Sequence, residues 1–355
     1  MLSRSTKEAV DAFVKAHAEA GVLGVFPYEN RLFEYRERVG KFIGAIGDEI
    51  VFLRNTTHGA TTLAGAFDWN AGDEMLLCDD EFPANAIPWL ALRERGVNVR
   101  RIAIRESRER LTPDRLRQEM TPRTRLVTVS WVNFADGYRH DLTALAEIAH
   151  SHGAILVVDA IQGLGAFPLD VRATNVDAIF SGGAKWLLSL HGSAFLYVRR
   201  ELLERMRVAT PGWRSLANKW DFFNYDQPWL DDASRFEDGV PNFLGVLSLV
   251  TSIELLERSN PHAIAAHILH LTDHLYDGLQ RIGAVMTTER GPSCSSGIVT
   301  FNPPGKDPIA LGRALQHDEK MVTTWRANGI RVSPHGYNTL EEIDMFLQAM
   351  RQHIA

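Results

Sequence analysis

ILVVDAIQGLGAFPLDVRATNVDAIFSGGAKWL, residues 155–187, decides how the rest of the chain is read. Ile155–Val158 is a short apolar run between Gly153 and Asp159, and Asp177–Phe180 opens a second run that leads through Ser181-Gly-Gly-Ala to Lys185. Short apolar runs bounded in this way read as strands buried on both faces. In open α/β sheets ligands bind beyond the carboxyl ends of the strands, so the two runs deliver Asp159 and Lys185 to one crevice. That pairing suits pyridoxal phosphate (PLP), which needs a lysine for its Schiff base and a carboxylate to keep the ring nitrogen protonated as an electron sink. Alone, Lys185 would be a solvated surface lysine and Asp159 a helix cap. Their order at successive strand ends is what points to a cofactor.

VVDAIQGLGAFPLDV, DAIFSGGAKWL and GSAFLYV resemble the cofactor core of the class V aminotransferases, a family that includes isopenicillin N epimerase-like proteins, cysteine desulfurases and kynureninases. The resemblance implies PLP as cofactor, Lys185 as the Schiff-base lysine, Asp159 as partner of the pyridine nitrogen and Gln162 near the ring hydroxyl. It also implies PLP-transferase fold type I: a mostly parallel seven-stranded sheet wrapped by helices, with a smaller C-terminal α/β domain. Family members build their sites at a dimer interface, so a homodimer is expected.

The bulk numbers agree with such a protein. The chain has 355 residues, 45% hydrophobic and 23% charged, enough for one large domain and a smaller one. A net charge of −6 argues against a nucleic-acid or anionic-membrane surface. Only Cys78 and Cys294 occur, which rules out a disulfide framework or a four-thiolate metal site. No apolar run approaches membrane-spanning length and no signal-peptide core opens the chain, so a cytoplasmic location is expected.

Three segments are expected: an N-terminal helix over 1–20, a large cofactor domain over 21–245 and a small domain over 246–355. Ser5 reads as the first helix's N-cap, with Glu8 at the capping-box position. Family members carry a further segment before this helix that helps to close the substrate site. Here either the start lies further upstream or the entrance is built differently. IVFLRNTTHGATTLAGAF, residues 50–67, reads as strand, turn and small-residue helix. The free N–H groups and positive dipole end of that helix suit a phosphate. The resemblance places the PLP phosphate there, with Thr57 and His58 as contacts, while Thr56 or Thr57 caps the helix.

In EFPANAIPW, residues 81–89, the resemblance puts Phe82 over the cofactor ring, where desulfurases keep a His and kynureninases a Phe. Phe134, not Asn133, falls where desulfurases keep an active-site Asn. Three family phosphate contacts are missing: the usual Ser three before the lysine is Gly182, the usual His before the lysine is Ala184, and the usual Thr of a later Gly-Thr-Pro-Asn segment is Val240. Ser181 or backbone N–H groups are expected to compensate. The long stretch 211–245 holds Trp213, Trp220 and Trp229, as functional loops or subunit interfaces do. RVSPHGYNTLEEID, residues 331–344, resembles the family's C-terminal signature and makes Arg331 the guanidinium that grips a substrate α-carboxylate.

The reaction is open over several chemistries. Lys185, freed by the substrate's amine, is the natural base at Cα. A desulfurase needs a mobile thiol in the C-terminal domain, and none lies between Met321 and Arg331. The expected activity is therefore aminotransferase or epimerase-like action on an amino acid or amine. Kynureninase-like hydrolysis, C–S lyase chemistry and a degenerate binding protein stand as alternatives.

Overall fold

The computed structural model describes residues 2–107, 109–326 and 329–354. Seven strands form the main sheet: β1 (Ile50–Leu53), β2 (Glu74–Cys78), β3 (Asn98–Ile102), β4 (Thr124–Ser130), β5 (Ile155–Asp159), β6 (Ala178–Gly182) and β7 (Ala194–Val198). Their order is β1-β7-β6-β5-β4-β2-β3, with β7 antiparallel to both neighbours and the other pairings parallel. This is the expected PLP-transferase fold type I sheet. β1, β2 and β4 to β7 are buried along nearly their whole length, which is why they read as continuous apolar runs without alternation.

The helices that position the site are α1 (Arg4–Ala20), α2 (Leu32–Phe42), α3 (Thr56–Ala66), α4 (Leu142–Ser151), α5 (Phe243–Arg258) and α6 (Pro261–Arg281). One correction concerns α1. Its cap is Ser3, whose side chain accepts the Thr6 N–H, so the helix starts two residues earlier than Ser5 would set it. A second concerns α3, where neither Thr56 nor Thr57 caps. Asn55 does, by accepting the His58 N–H at 2.9 Å. Asp141 caps α4 through the Ala144 N–H, as the ordered turn before that helix requires.

The small domain is a four-stranded antiparallel sheet of β8 (Val285–Met286), β9 (Val299–Asn302), β10 (Thr324–Arg326) and β11 (Gly329–Val332), in the order β10-β11-β9-β8. It packs with the end of α6 and with α7 (Pro308–His317) and α8 (Leu340–Ile354). By core membership the change of domain comes later than residue 246. Phe243, Val246, Leu249 and Ile253 of α5, and Ile268 of α6, pack in the core of the large sheet, and only from Leu271 does α6 join the small one. One continuous helix carries the chain between them. α1 belongs to the large core as well, with Phe13 stacked 5.7 Å from Phe243.

Candidate active site

Asp159 ends β5 and Lys185 follows β6, and the parallel pairing of the two strands sets Asp159 opposite Phe180. The carboxylate is sealed in at 1% exposure. Its Oδ1 accepts the Ile161 N–H at 3.0 Å, and its Oδ2 is buried with no partner among the described residues. Burial pushes its pKa up, while the Ile161 N–H and the Lys185 charge oppose that rise. A buried carboxylate oxygen with nothing to bond is costly unless a ligand brings a donor. A protonated pyridine nitrogen is such a donor, so Asp159 fits the group assigned to it.

Lys185 lies at the open mouth of the crevice, its Nζ 5.7 Å from the centre of the Phe82 ring. Desolvation by the crevice walls lowers its amine to about 8; Asp159 works against that shift, and Arg331 and Arg326 reinforce it. The amine is therefore easier to free of its proton than a surface lysine. Phe82 is partly exposed and meets Phe134 edge-on at 5.2 Å, so the two rings form one wall. The loop that carries Phe82 is fastened below by Glu81, which accepts the Ser130 N–H at 2.7 Å, the Ser130 hydroxyl and the Asn85 amide at 3.0 Å. Burial raises the Glu81 carboxyl to about 8.

Gln162 sits beside the crevice, where its Oε1 accepts the Trp186 indole N–H at 3.3 Å. His335 stacks on the same indole at 5.2 Å. Its Nδ1 accepts the Gly336 N–H at 2.8 Å, which leaves Nε2–H to donate to the Trp186 carbonyl at 3.0 Å. The small domain thus grips the residue next to Lys185. From β11, Arg331 donates to the Phe134 carbonyl at 2.5 Å and to Thr324 at 3.3 Å, and its buried Nε is unpartnered. Burial, then Arg326, brings its guanidinium down to about 10. Arg326 itself lies over the Phe134 ring at 5.1 Å and pairs with no carboxylate among the described residues.

At the other end of the crevice, α3 opens after β1. Thr57 is exposed there and His58 half-buried, the His58 ring held near neutral by burial and by Arg54. Asn55 occupies the His58 N–H, and the Thr56 and Thr57 N–H groups of the first turn have no acceptor among the described residues. Ser181 is not brought to this end. Strand alternation turns Phe180 and Gly182 toward α3, where a Cβ on Gly59 would meet Phe180 at 2.5 Å, and turns the fully buried Ser181 to the opposite face. Its hydroxyl reaches only the Gly182 carbonyl, at 3.4 Å.

Sequence reasoning placed Lys185, Asp159, Gln162, Phe82 and Arg331 around one crevice, and the structure brings them together. It missed Arg326 and His335. The signal for Arg326 was a second arginine close before the signature; for His335 it was the same signature's SPHGYN turn.

The model of the class V aminotransferases matches residues 16–346. A protein of Methanothermobacter thermautotrophicus described as a probable cysteine desulfurase is 30% identical over 339 residues, covering 91% of this chain and 83% of that protein. The apo cysteine desulfurase of Thermococcus onnurineus superposes with a TM-score of 0.89 at 26% identity, covering 100% of this chain and 92% of the other. A cystine C–S lyase bound to its product, cysteine persulfide, superposes at 0.90 with 22% identity, over 99% and 94% of the two chains. That last likeness is one of fold. With a crevice whose unpartnered carboxylate and accessible lysine suit PLP, the chain belongs to the class V aminotransferase family of PLP-dependent enzymes.

Proposed function

We propose that this enzyme is a C–S lyase that removes the sulfur substituent from the β-carbon of a cysteine-derived amino acid without storing the sulfur on a thiol of its own. The observation that carries this reading is the position of its two cysteines. Cys78 is buried in β2, its thiol pushed well above the usual range by burial, and Cys294 is buried beside the small sheet. Both thiols are enclosed at 3% and 6% exposure. The desulfurase relatives favour sulfur chemistry over the amino transfer expected from sequence, yet a protein whose two thiols are both buried presents no exposed thiol to receive a sulfur atom. Sulfur must then leave with the substrate's own fragment.

Arg331 is suited to hold the α-carboxylate and so to orient Cα. Lys185, its pKa lowered, is suited to take the α-proton, and Phe82 covers the reacting face and excludes water. PLP, held by Asp159 and the first turn of α3, supplies the electron sink. The Cβ–S bond breaks with its electron pair leaving on sulfur as a thiolate or persulfide. Water then completes the balance to pyruvate and ammonium. Arg326 gives a preference among substrates: an unpaired guanidinium above Phe134 favours an amino acid whose sulfur arm ends in a second anionic group.

The test is a product census for the holoenzyme with cystine, S-sulfocysteine, cysteine and alanine plus a 2-oxo acid. Pyruvate with persulfide released from cystine or thiosulfate released from S-sulfocysteine, and no sulfur bound to protein, supports the reading. Alanine formed from cysteine, or amino transfer to the oxo acid without pyruvate, overturns it. Lys185→Ala should abolish turnover of every substrate.

A further inference from the structure

The grip on the cofactor's phosphate is short of hydroxyls at Gly182, and the same place holds an unexplained one. Thr56, the first residue of α3, is 7% exposed. Its hydroxyl makes no hydrogen bond to any described residue and is not sealed off, so it is open to a ligand. A Cβ built on Gly182 would stand 3.0 Å from Thr56 Oγ1 and 3.0 Å from Ile161 Cδ1. The pocket between α3 and the end of β6 therefore has room for one side-chain hydroxyl. Gly182 leaves it empty and Thr56 fills it.

We propose that Thr56 and Gly182 are a matched pair, in which the Thr56 hydroxyl donates to the phosphate from the place a serine at 182 would otherwise use. The ligand is a phosphate monoester dianion, which the free Thr56 and Thr57 N–H groups and the α3 dipole also favour. This rests on the first turn of α3 being the phosphate site. Ser181, on the other face of the sheet, takes no part.

The experiment compares affinity for PLP with affinity for pyridoxal, which lacks the phosphate, by equilibrium dialysis of the full chain stripped of cofactor, with thermal melting of each stripped variant as a control. Thr56→Val keeps the shape and removes the hydroxyl. It should weaken PLP by roughly 10- to 100-fold, as loss of one hydrogen bond to a charged group does, and leave pyridoxal unchanged. Gly182→Ser alone should bring no gain, because its Cβ pushes on Thr56. Thr56→Ala with Gly182→Ser should return most of the PLP affinity, and this double variant carries the test if Thr56→Val does not fold. An unchanged ratio of PLP to pyridoxal affinity in Thr56→Val overturns the proposal, as does equal loss of both ligands or a gain from Gly182→Ser alone. Thr57→Val separates the two levels. If it lowers the ratio and Thr56→Val does not, the matched pair is wrong and the phosphate site stands; if neither does, the site itself is wrong.

Discussion

Lys185 carries two positive neighbours and one negative one, and the balance sets when its amine can react. Desolvation, with Arg331 and Arg326, lowers it to about 8 against the Asp159 charge. An amine attacks an aldehyde only when neutral, so a lowered pKa makes the reactive form available at lower pH. The rate at which stripped protein captures pyridoxal should therefore rise through about pH 8, well below the usual 10.5 of a lysine. Stopped-flow absorbance across pH reads this directly, and an inflection at 10 or above would show the crevice does not act on the amine. Arg326→Gln should move the inflection upward, since it removes a charge that disfavours the ammonium. The same variant should lose roughly 10-fold in kcat/KM for S-sulfocysteine, the size of one charge-assisted contact, and little for an amino acid with an uncharged arm. Equal losses on both would reduce Arg326 to a packing residue on Phe134.

At the scale of elements, what was legible in the sequence followed from strand ends. A run such as ILVVD ends where its first charge appears, so the sheet itself announces which residues reach the crevice. The end of β6 was harder, because Ser181 and Gly182 are neighbours in sequence and opposites in space. Only alternation, counted back from Phe180, tells that Gly182 faces α3. The cap of α3 was misread because ArgAsnThrThr offers three capping residues in a row, and extended backbone at Asn55 made the choice. The domain boundary was hidden because α6 has one unbroken apolar face that packs first on the large core and then on the small one. The α3 cap has its own consequence. Asn55→Ala removes the acceptor of the His58 N–H and should cost about 1 kcal/mol of stability in the stripped protein, read from urea unfolding. It also leaves a third free N–H in the first turn, so PLP affinity should fall far less than in Thr56→Val. A larger loss of PLP in Asn55→Ala would mean the helix turn itself, not its hydroxyls, limits binding.

Across the whole molecule, one buried ion cluster joins the N-terminal segment to the long aromatic stretch. Arg214 donates to Glu29 at 2.8 Å and lies 4.0 Å from Glu237, which Arg36 grips at 2.7 Å, while Lys219 reaches Glu29 at 2.7 Å. Arg214 and Glu237 are each only 3% exposed at the side chain. The stretch they anchor presents Trp220, Phe222, Phe223, Tyr225 and Trp229 to solvent, more aromatic surface than a monomer usually leaves bare. The expected homodimer would cover it, with a mass twice 39.8 kDa in light scattering after gel filtration. Arg214→Met tests both ideas together. It leaves Glu237 with Arg36 and Glu29 with Lys219, but strips the charge between them, and removing one partner of a buried ionic group costs about 3–5 kcal/mol. If the aromatic stretch is the contact, Phe223→Asp, which touches nothing in the cluster, should shift the mass toward the monomer while leaving the unfolding midpoint of the monomer unchanged. Arg214→Met should lower that midpoint as well. A wild-type protein that runs at 39.8 kDa at every concentration would sink the dimer and leave the aromatic stretch facing water.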